Sequence, residues 1–421
     1  MLKNQARILL VALFVLSMVS TGVLFGCKPT EEAVPPTAEE EITQYNLAVY
    51  QDYTGPYGEL GPEIEGATKV ALTWWNENKG KELGIRLVPK YYDFRYDGAV
   101  CASQHPAVIS ELKPIAILED GIPYCLAIMK QLAIDKVPAI HLTGGYEFLN
   151  SPGGWIFVPL SSYTEHCLGF TDWWAKAKGP PSVAGKGFDT PPWHTVQSIL
   201  DAYCKQKGYN YKGVKLTGNI EPNMVPSVMW MLDLKPDFVF NIESVYNTVV
   251  LAKAMHEVGA YGKFALVYSL HEGLAEVGKI VGYEAIEGYY MVTPIDFLNK
   301  TGRGQKIWYQ NAGIIAPGLG LENTTGRAFA NTLVLTQAVE KAAATVGADK
   351  LSGQAIYDAL DTGAFSGLDL CDDIQIEHQD RLRGIKGVKI YQMVKGKITD
   401  ITGGTGWAPV PYFGTTWLYP K

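Results

Sequence analysis

Two His–Glu pairs, His256-Glu257 and His271-Glu272, are the first residues in this 421-residue chain to suggest hydrolysis. Both lack the second histidine that a zinc-protease helix places one turn later, and no serine sits in a nucleophile elbow. Gly185-Lys186-Gly187 has the flavour of a phosphate loop. Its preceding glycine, Gly179, falls one residue too early, and no Ser or Thr follows Lys186 to bind magnesium. His141, His166 and His194 stand apart from one another and from the cysteines, without zinc spacing, and read as polar residues near loop ends. Asp372-Asp373 reads as a solvated turn. No catalytic set, cofactor or metal is expected.

The positive signal is where aromatic and small polar residues fall. They lie after short apolar runs, at the carboxyl ends of predicted strands, where open α/β sheets build ligand crevices. In the first half these are Tyr53, Thr54, Tyr57 and Leu60, then Ile122, Pro123 and Tyr124, then Thr143 and Gly144. In the second half they are Asp189 and Trp193, Glu243 and Ser244, and Tyr268 and Ser269. Tyr and Trp offer apolar faces with one polar edge, so a pocket framed by Tyr57, Tyr124, Tyr163 and Trp193 suits a flat or apolar ligand that also forms hydrogen bonds. Taken singly, each of these residues is equally compatible with packing.

The elements that must position them alternate between β-type runs and helical patterns, which predicts an α/β fold with parallel sheets covered on both faces. Strands are predicted at Tyr45–Tyr50, Ile85–Tyr92, Ile115–Leu118 and Val137–His141. The pattern restarts at Val183–Phe188, Lys212–Thr217, Phe238–Ile242 and Phe264–Tyr268. The first helix carries Ile64, Ala67, Val70, Ala71 and Trp74 at helical spacing. A helix is expected over Val245–Val258. A long one over Gly326–Val346 is followed by Leu351–Asp361, then by β-type runs at Ile374–Glu377 and Val388–Val394.

At the amino end, Lys3 and Arg7 precede an uncharged apolar run from Ile8 to Phe25, the layout of an export signal over residues 1–26. Leu24-Phe25-Gly26-Cys27 resembles a bacterial lipobox, which implies a lipid on Cys27 that holds the protein on a membrane; Phe25 is bulkier than the motif usually carries. The run could also serve as a plain transmembrane anchor. Lys28 to Glu41, rich in Pro, Thr and Glu, reads as a solvated tether spanning 27–41. Removing residues 1–26 takes away only Lys3 and Arg7 and moves the formal charge from -7 to -9, so nucleic acid is not an expected partner. The chain is 47% apolar, and its remaining length exceeds what one core serves, so two lobes are expected. Five cysteines besides Cys27 cannot all pair. Cys101 with Cys125 is the favoured disulfide candidate, each being near the start of a successive helix in one βαβ stretch.

Thr54-Gly55-Pro56-Tyr57-Gly58, Trp75-Asn76-Glu77-Asn78-Lys79-Gly80 and Tyr92-Asp93, in that order, resemble the substrate-binding proteins of ABC importers in the leucine/isoleucine/valine-binding class. The resemblance runs from about Ile42 to about Thr402. It implies the periplasmic binding protein type 1 fold, with two Rossmann-like lobes joined by three hinge crossovers and a ligand closed between them. By analogy the crossovers fall near Leu160, Val292 and Arg381, giving lobe one as 42–160 and 293–380, and lobe two as 161–292 and 381–421. Trp193 matches the aromatic that the family places after the first strand of lobe two. Where amino-acid binders hold the ligand carboxylate with hydroxyls, this chain has Gly121-Ile122-Pro123-Tyr124. The acidic residue that meets a ligand ammonium would align near Leu270, with Glu272 displaced and Glu243 able to substitute.

The resemblance therefore implies an extracytoplasmic, lipid-anchored receptor that captures a small molecule for an ABC permease and its ATPase and does no chemistry itself. The ligand would be branched-chain amino acid-like, an amide or an aromatic compound. Thr54, Tyr57, Tyr124 and Thr143 are expected to contact it from lobe one, and Trp193, Glu243, Ser244 and Tyr268 from lobe two, with Leu60, Ile122, Gly144 and Ser269 nearby and Ser161, Ser162 and Tyr163 at the hinge. A sensor of the same fold feeding a signalling partner is the alternative, and an exported enzyme a further one.

Overall fold

Strand β1 (Thr43–Gln51) shows why this chain folds as a layered sheet: Leu47 to Tyr50 is apolar and buried on both faces, as the centre of a parallel sheet requires. The computed structural model describes residues 42–411 apart from 219, 270–272, 379–380 and 404–405. Cys27, the proposed signal 1–26, the tether 27–41 and Glu272 lie outside the described residues.

After β1, helix α1 (Gly61–Trp75) carries Pro62 in its first turn, where a missing N–H and fixed φ are suited, with Glu63 beside the positive helix end. It buries Ile64, Ala67, Val70, Ala71 and Trp75; Trp74 is only half-buried, so the apolar stripe ends one residue later than the sequence pattern suggests. There follow β2 (Ile85–Asp93), α2 (Gly98–Leu112), β3 (Ala116–Glu119), α3 (Ile122–Asp135), β4 (Ala139–His141) and β5 (Ile156–Phe157). These strands form one sheet in the order β2-β1-β3-β4-β5, all pairs parallel.

The chain then leaves that sheet through α4 (Tyr163–Lys178) and builds β6 (Ser182–Phe188), α5 (Pro191–Lys207), β7 (Asn210–Thr217), α6 (Val225–Leu234), β8 (Phe238–Ile242), α7 (Val245–Glu257), β9 (Ala265–Ser269), α8 (Leu274–Val281) and β10 (Tyr290–Thr293). Helices α9 (Arg303–Ile315), α10 (Asn323–Val346) and α11 (Gly353–Leu360) come next. Of these, α9 and α10 pack back onto α1. The short strands β11 (Ala364–Phe365) and β12 (Ile374–Gln375) pair with each other, and β13 (Gly387–Val394), β14 (Lys397–Asp400) and β15 (Ala408–Pro409) join the second sheet. That sheet runs β14-β13-β10-β9-β8-β6-β7, with β15 on β13; β13 is antiparallel to β10. The carboxyl-terminal β-type runs are thus a return to the second sheet.

The α/β reading from the sequence holds, and the predicted strands recur within two residues of their expected limits. Helix α10 starts three residues earlier than the apolar pattern, because Glu322 and Thr325 close a reciprocal cap on its first turn. Among the described residues no helix is long and apolar enough to cross a membrane. Cys101 and Cys125 do not form the expected disulfide. Both are buried free thiols, as are Cys167, Cys204 and Cys371, and the Cys125 thiol donates instead to Glu119 Oε2 at 2.6 Å.

Candidate ligand cleft

The loop after β1 is organised by Asp52, whose two carboxylate oxygens accept the N–H groups of Gly55 at 2.5 Å and Tyr57 at 2.8 Å. Only a small residue fits at Gly55, where a Cβ would approach the Arg95 carbonyl carbon to 2.6 Å. The turn presents Tyr57, whose ring centroid lies 4.4 Å from that of Tyr96. Arg95 and Tyr96 both take left-handed backbone angles, φ 57° and 54°, a conformation that costs a bulky residue free energy unless the surroundings hold it. The Tyr124 hydroxyl supplies the hold, accepting the Tyr96 N–H at 2.6 Å and donating to the Gln51 carbonyl at 3.1 Å.

From the second sheet, β6 ends in Phe188, whose ring meets Tyr57 edge-on at 5.8 Å. The next helix, α5, begins on Pro191 and places Trp193 in its first turn. The indole lies against the strand glycines: a Cβ at Gly187 would come within 2.6 Å of Trp193 Cε2, and one at Gly185 within 3.2 Å of Cζ2. Here the Gly185-Lys186-Gly187 sequence finds its use, as a flat bed for an aromatic ring. Trp193 Nε1 is buried and has no hydrogen-bond partner among the described residues.

Tyr57, Tyr96, Ile122, Tyr163, Phe188, Thr190, Trp193 and Ile242 line a cavity of about 320 Å³ with its open mouth included. Tyr57, Tyr96 and Ile122 follow strands of the first sheet; Phe188, Thr190, Trp193 and Ile242 belong to the second. Tyr163 opens α4, where Ser162 and Glu165 form a reciprocal cap and Tyr146 donates to Glu165 Oε1 at 2.6 Å. The cavity is thus built by both sheets and by the segment that joins them, and its walls are mainly aromatic, with few polar edges.

Of the residues singled out from sequence, Tyr57, Ile122, Tyr163 and Trp193 meet around this cavity. The others do not line it. Thr54 is exposed and donates to Asp93 Oδ2 at 2.7 Å, and Leu60 is core at the start of α1. Tyr124 supports Tyr96 from behind. Glu243 is fully buried and satisfied within the second sheet by Lys186, by Thr217 Oγ1 at 2.6 Å and by Asn247 Nδ2 at 2.7 Å. Ser244 caps α7 through the Asn247 N–H. Tyr268 packs edge-on against Tyr289 at 5.7 Å, and Ser269 Oγ lies 2.9 Å from His166 Nδ1. Asp189 pairs with His194 at the surface. Thr143 and Gly144 donate their backbone N–H groups to His141 Nδ1 at 3.0 and 2.6 Å. Sequence reasoning missed Tyr96, Phe188, Thr190 and Ile242. Phe188 and Ile242 are the last residues of their strands, a rule that could have found them; Tyr96 carries no such signal.

Glu119, Cys125 and His141 bring three possible metal-ligand atoms within 4.8 Å of one another, all buried. Their hydrogen bonding favours another reading. His141 Nδ1 accepts two backbone N–H groups, so a neutral ring keeps its proton on Nε2, which faces Glu119 Oε1 at 3.7 Å. Burial pushes the Glu119 carboxyl and the Cys125 thiol well above their ordinary values. The trio is a buried carboxyl surrounded by donors rather than a set of open lone pairs.

Residues 44–397 match the sequence pattern of the family described as periplasmic binding protein. Among solved structures, a branched chain amino acid ABC transporter protein from Thermus thermophilus with bound valine is 15% identical, covering 90% of this chain and 100% of its own, with a TM-score of 0.76. An ABC transporter substrate binding protein from Aeropyrum pernix is 18% identical over 89% of this chain and 98% of its own, with a TM-score of 0.75. A solute binding protein from R. palustris in complex with 4-hydroxybenzoate is 16% identical over 89% and 99%, with a TM-score of 0.72. No curated protein matches the sequence.

Proposed function

Since the chain belongs to the periplasmic binding protein family, we propose that it is an extracytoplasmic solute-binding protein that closes its two lobes on a small aromatic or apolar compound and delivers it to an ABC permease and its ATPase. The observation that carries this reading is the cavity whose walls come from both sheets, with Tyr57 and Tyr96 facing Phe188 and Trp193. Such walls favour a flat or branched apolar body through dispersion and edge-to-face contact. The buried Trp193 N–H lies over Gly187 and has no hydrogen-bond partner among the described residues.

The lobes are 42–160 with 293–380, and 161–292 with 381–421. An open form is in equilibrium with the closed one, and a ligand that touches both lobes shifts the population. Residues 1–26 direct export and a lipid on Cys27 keeps the receptor beside its permease, with 27–41 as the tether. Branched-chain amino acids belong to the test panel, but the carboxylate of Glu243 is already satisfied by Lys186, Thr217 and Asn247 and is poorly placed to meet an ammonium.

Thermal-shift screening of the purified protein against amino acids, amides, aromatic acids and short peptides tests the reading. A ligand that binds only the folded state stabilises it by about 2.7 kcal/mol at a hundredfold excess over Kd, and so raises the melting temperature. The reading expects an aromatic or branched apolar compound to produce the largest shift. A shift confined to peptides, or none across the panel, would overturn it.

A further inference from the structure

Helix α10 carries Arg327 and, one turn on along the same face, Asn331, both almost wholly buried at 1% and 2% exposure. Arg327 Nη2 donates to the Leu142 carbonyl at 2.8 Å and lies 3.5 Å from the Ser161 carbonyl. Its Nε and Nη1 have no hydrogen-bond partner among the described residues. A guanidinium buried without an anion is costly, and the cost is offset when a carboxylate binds it through two parallel hydrogen bonds.

Where Arg327 sits matters. Leu142 follows β4 at the crevice edge of the first sheet, and Ser161 lies in the crossover just before Tyr163, a wall of the aromatic cavity. The hydroxyl of Thr143, 1% exposed, is likewise without a partner among the described residues. Beside α10 is a chamber, about 270 Å³ with its open mouth included, lined by Gln51, Glu119, Asp120, Ala328 and Asn331 among others. Both polar atoms of the Gln51 amide, itself 1% exposed, have no hydrogen-bond partner among the described residues. Burial pushes the Asp120 carboxyl up to about 8 even though Arg327 pulls it down, so at neutral pH it leaves the guanidinium largely uncompensated. Arg327 itself, drawn down to about 9 by burial, remains a cation.

We propose that Arg327 receives the anionic end of the ligand, so that the compound held between the aromatic walls is an apolar or aromatic carboxylic acid. This rests on the reading of the cleft as a binding site and names the chemical class that it selects. It also explains how a carboxylate can be held although Gly121-Ile122-Pro123-Tyr124 supplies no hydroxyl comparable to serine at the end of β3.

The test is calorimetric titration of the purified protein with benzoate and phenylacetate, and with benzamide and phenylacetamide as neutral isosteres. At least one acid should bind roughly 10-fold or more tightly than its amide, and Arg327→Gln should lower acid affinity by about 30-fold while leaving amide affinity within about threefold. Arg327→Lys, which keeps the charge without the fork, should recover part of the loss. Amides binding as tightly as acids, or an Arg327→Gln variant that keeps acid affinity, would overturn the inference while leaving the cleft intact as a binding site. If neither series binds and the thermal screen is blank, both readings fall. Should Arg327→Gln not fold, the acid-to-amide ratio of the unsubstituted protein decides the question.

Discussion

Gly187→Ala probes the cleft through a single methyl group that touches the indole and nothing in the ligand. A Cβ at that position would lie 2.6 Å from Trp193 Cε2 and 2.7 Å from Cδ1, whereas carbon atoms in contact prefer about 3.5–4.0 Å. The indole must therefore withdraw by about 1 Å. Crowding of this kind costs about 1–3 kcal/mol of stability. For binding, an aromatic wall moved off its partner forfeits most of a contact worth about 0.5–1.5 kcal/mol, so Kd should rise roughly 2- to 10-fold. Trp193→Ala removes the wall and should cost more, roughly 10- to 100-fold. The double substitution should bind no worse than Trp193→Ala alone, because the added methyl then meets empty space. Isothermal titration of the four proteins measures the affinities and urea unfolding the stabilities. Gly187→Ala that crowds the fold yet leaves Kd unchanged, or effects that simply add, would refute a wall role for Trp193.

The Lys186–Glu243 ion pair is fully buried in the second sheet, and Lys186→Met should lower unfolding free energy by about 3–5 kcal/mol in urea because it strands a carboxylate; an unchanged midpoint would contradict the network. Tyr124→Phe should cost about 1–3 kcal/mol and weaken ligand binding, since the Tyr96 N–H loses its acceptor, and a variant of unaltered stability and affinity would count against that support. Asp120 and Glu276 are pushed up to about 8, and Glu63 and Glu147 to about 7, chiefly by burial. Between about pH 4.5 and 8 the folded chain therefore holds more protons on these groups than the unfolded one. Their contribution is greatest at the acid end of that window and is lost as pH rises through 7 to 8, so the melting temperature should fall by about 5 °C or more from pH 5 to pH 8; a rise would contradict the assignment. The thiols of Cys101, Cys125, Cys167, Cys204 and Cys371 are buried and raised above the ordinary range by that burial. They should react with Ellman's reagent only on unfolding, and a Cys101–Cys125 linked peptide by mass spectrometry would contradict the free thiols.

The parallel sheets were legible because central parallel strands are apolar on both faces, as Leu47–Tyr50 and Phe238–Ile242 are, and because Gly and Pro punctuate the loops between them. The site was legible in half. Tyr57 and Trp193 follow strand ends and announce themselves; Tyr96 sits in a loop whose left-handed turn depends on Tyr124, a residue 28 positions away in sequence. Glu243 was read as a ligand contact because its loop position is right, yet its carboxylate satisfies Lys186, a residue on a neighbouring strand that sequence alone does not pair with it. Arg327 was invisible for a related reason. On a 24-residue helix an arginine looks like solvent-facing charge, and only the packing of α10 against the crossover turns it inward. Grouping of Glu119, Cys125 and His141 came from adjacent strands and a helix start rather than from any spacing.

The most direct test of the account is a crystal structure of the protein grown with the compound that gives the largest thermal shift. The account predicts ligand density between Tyr57 and Tyr96 on one side and Phe188 and Trp193 on the other, with an acidic group directed toward Arg327. Density on the outer face beside Trp174 and Tyr290, or within the groove between α1 and α10, with the aromatic cleft unchanged, would contradict it.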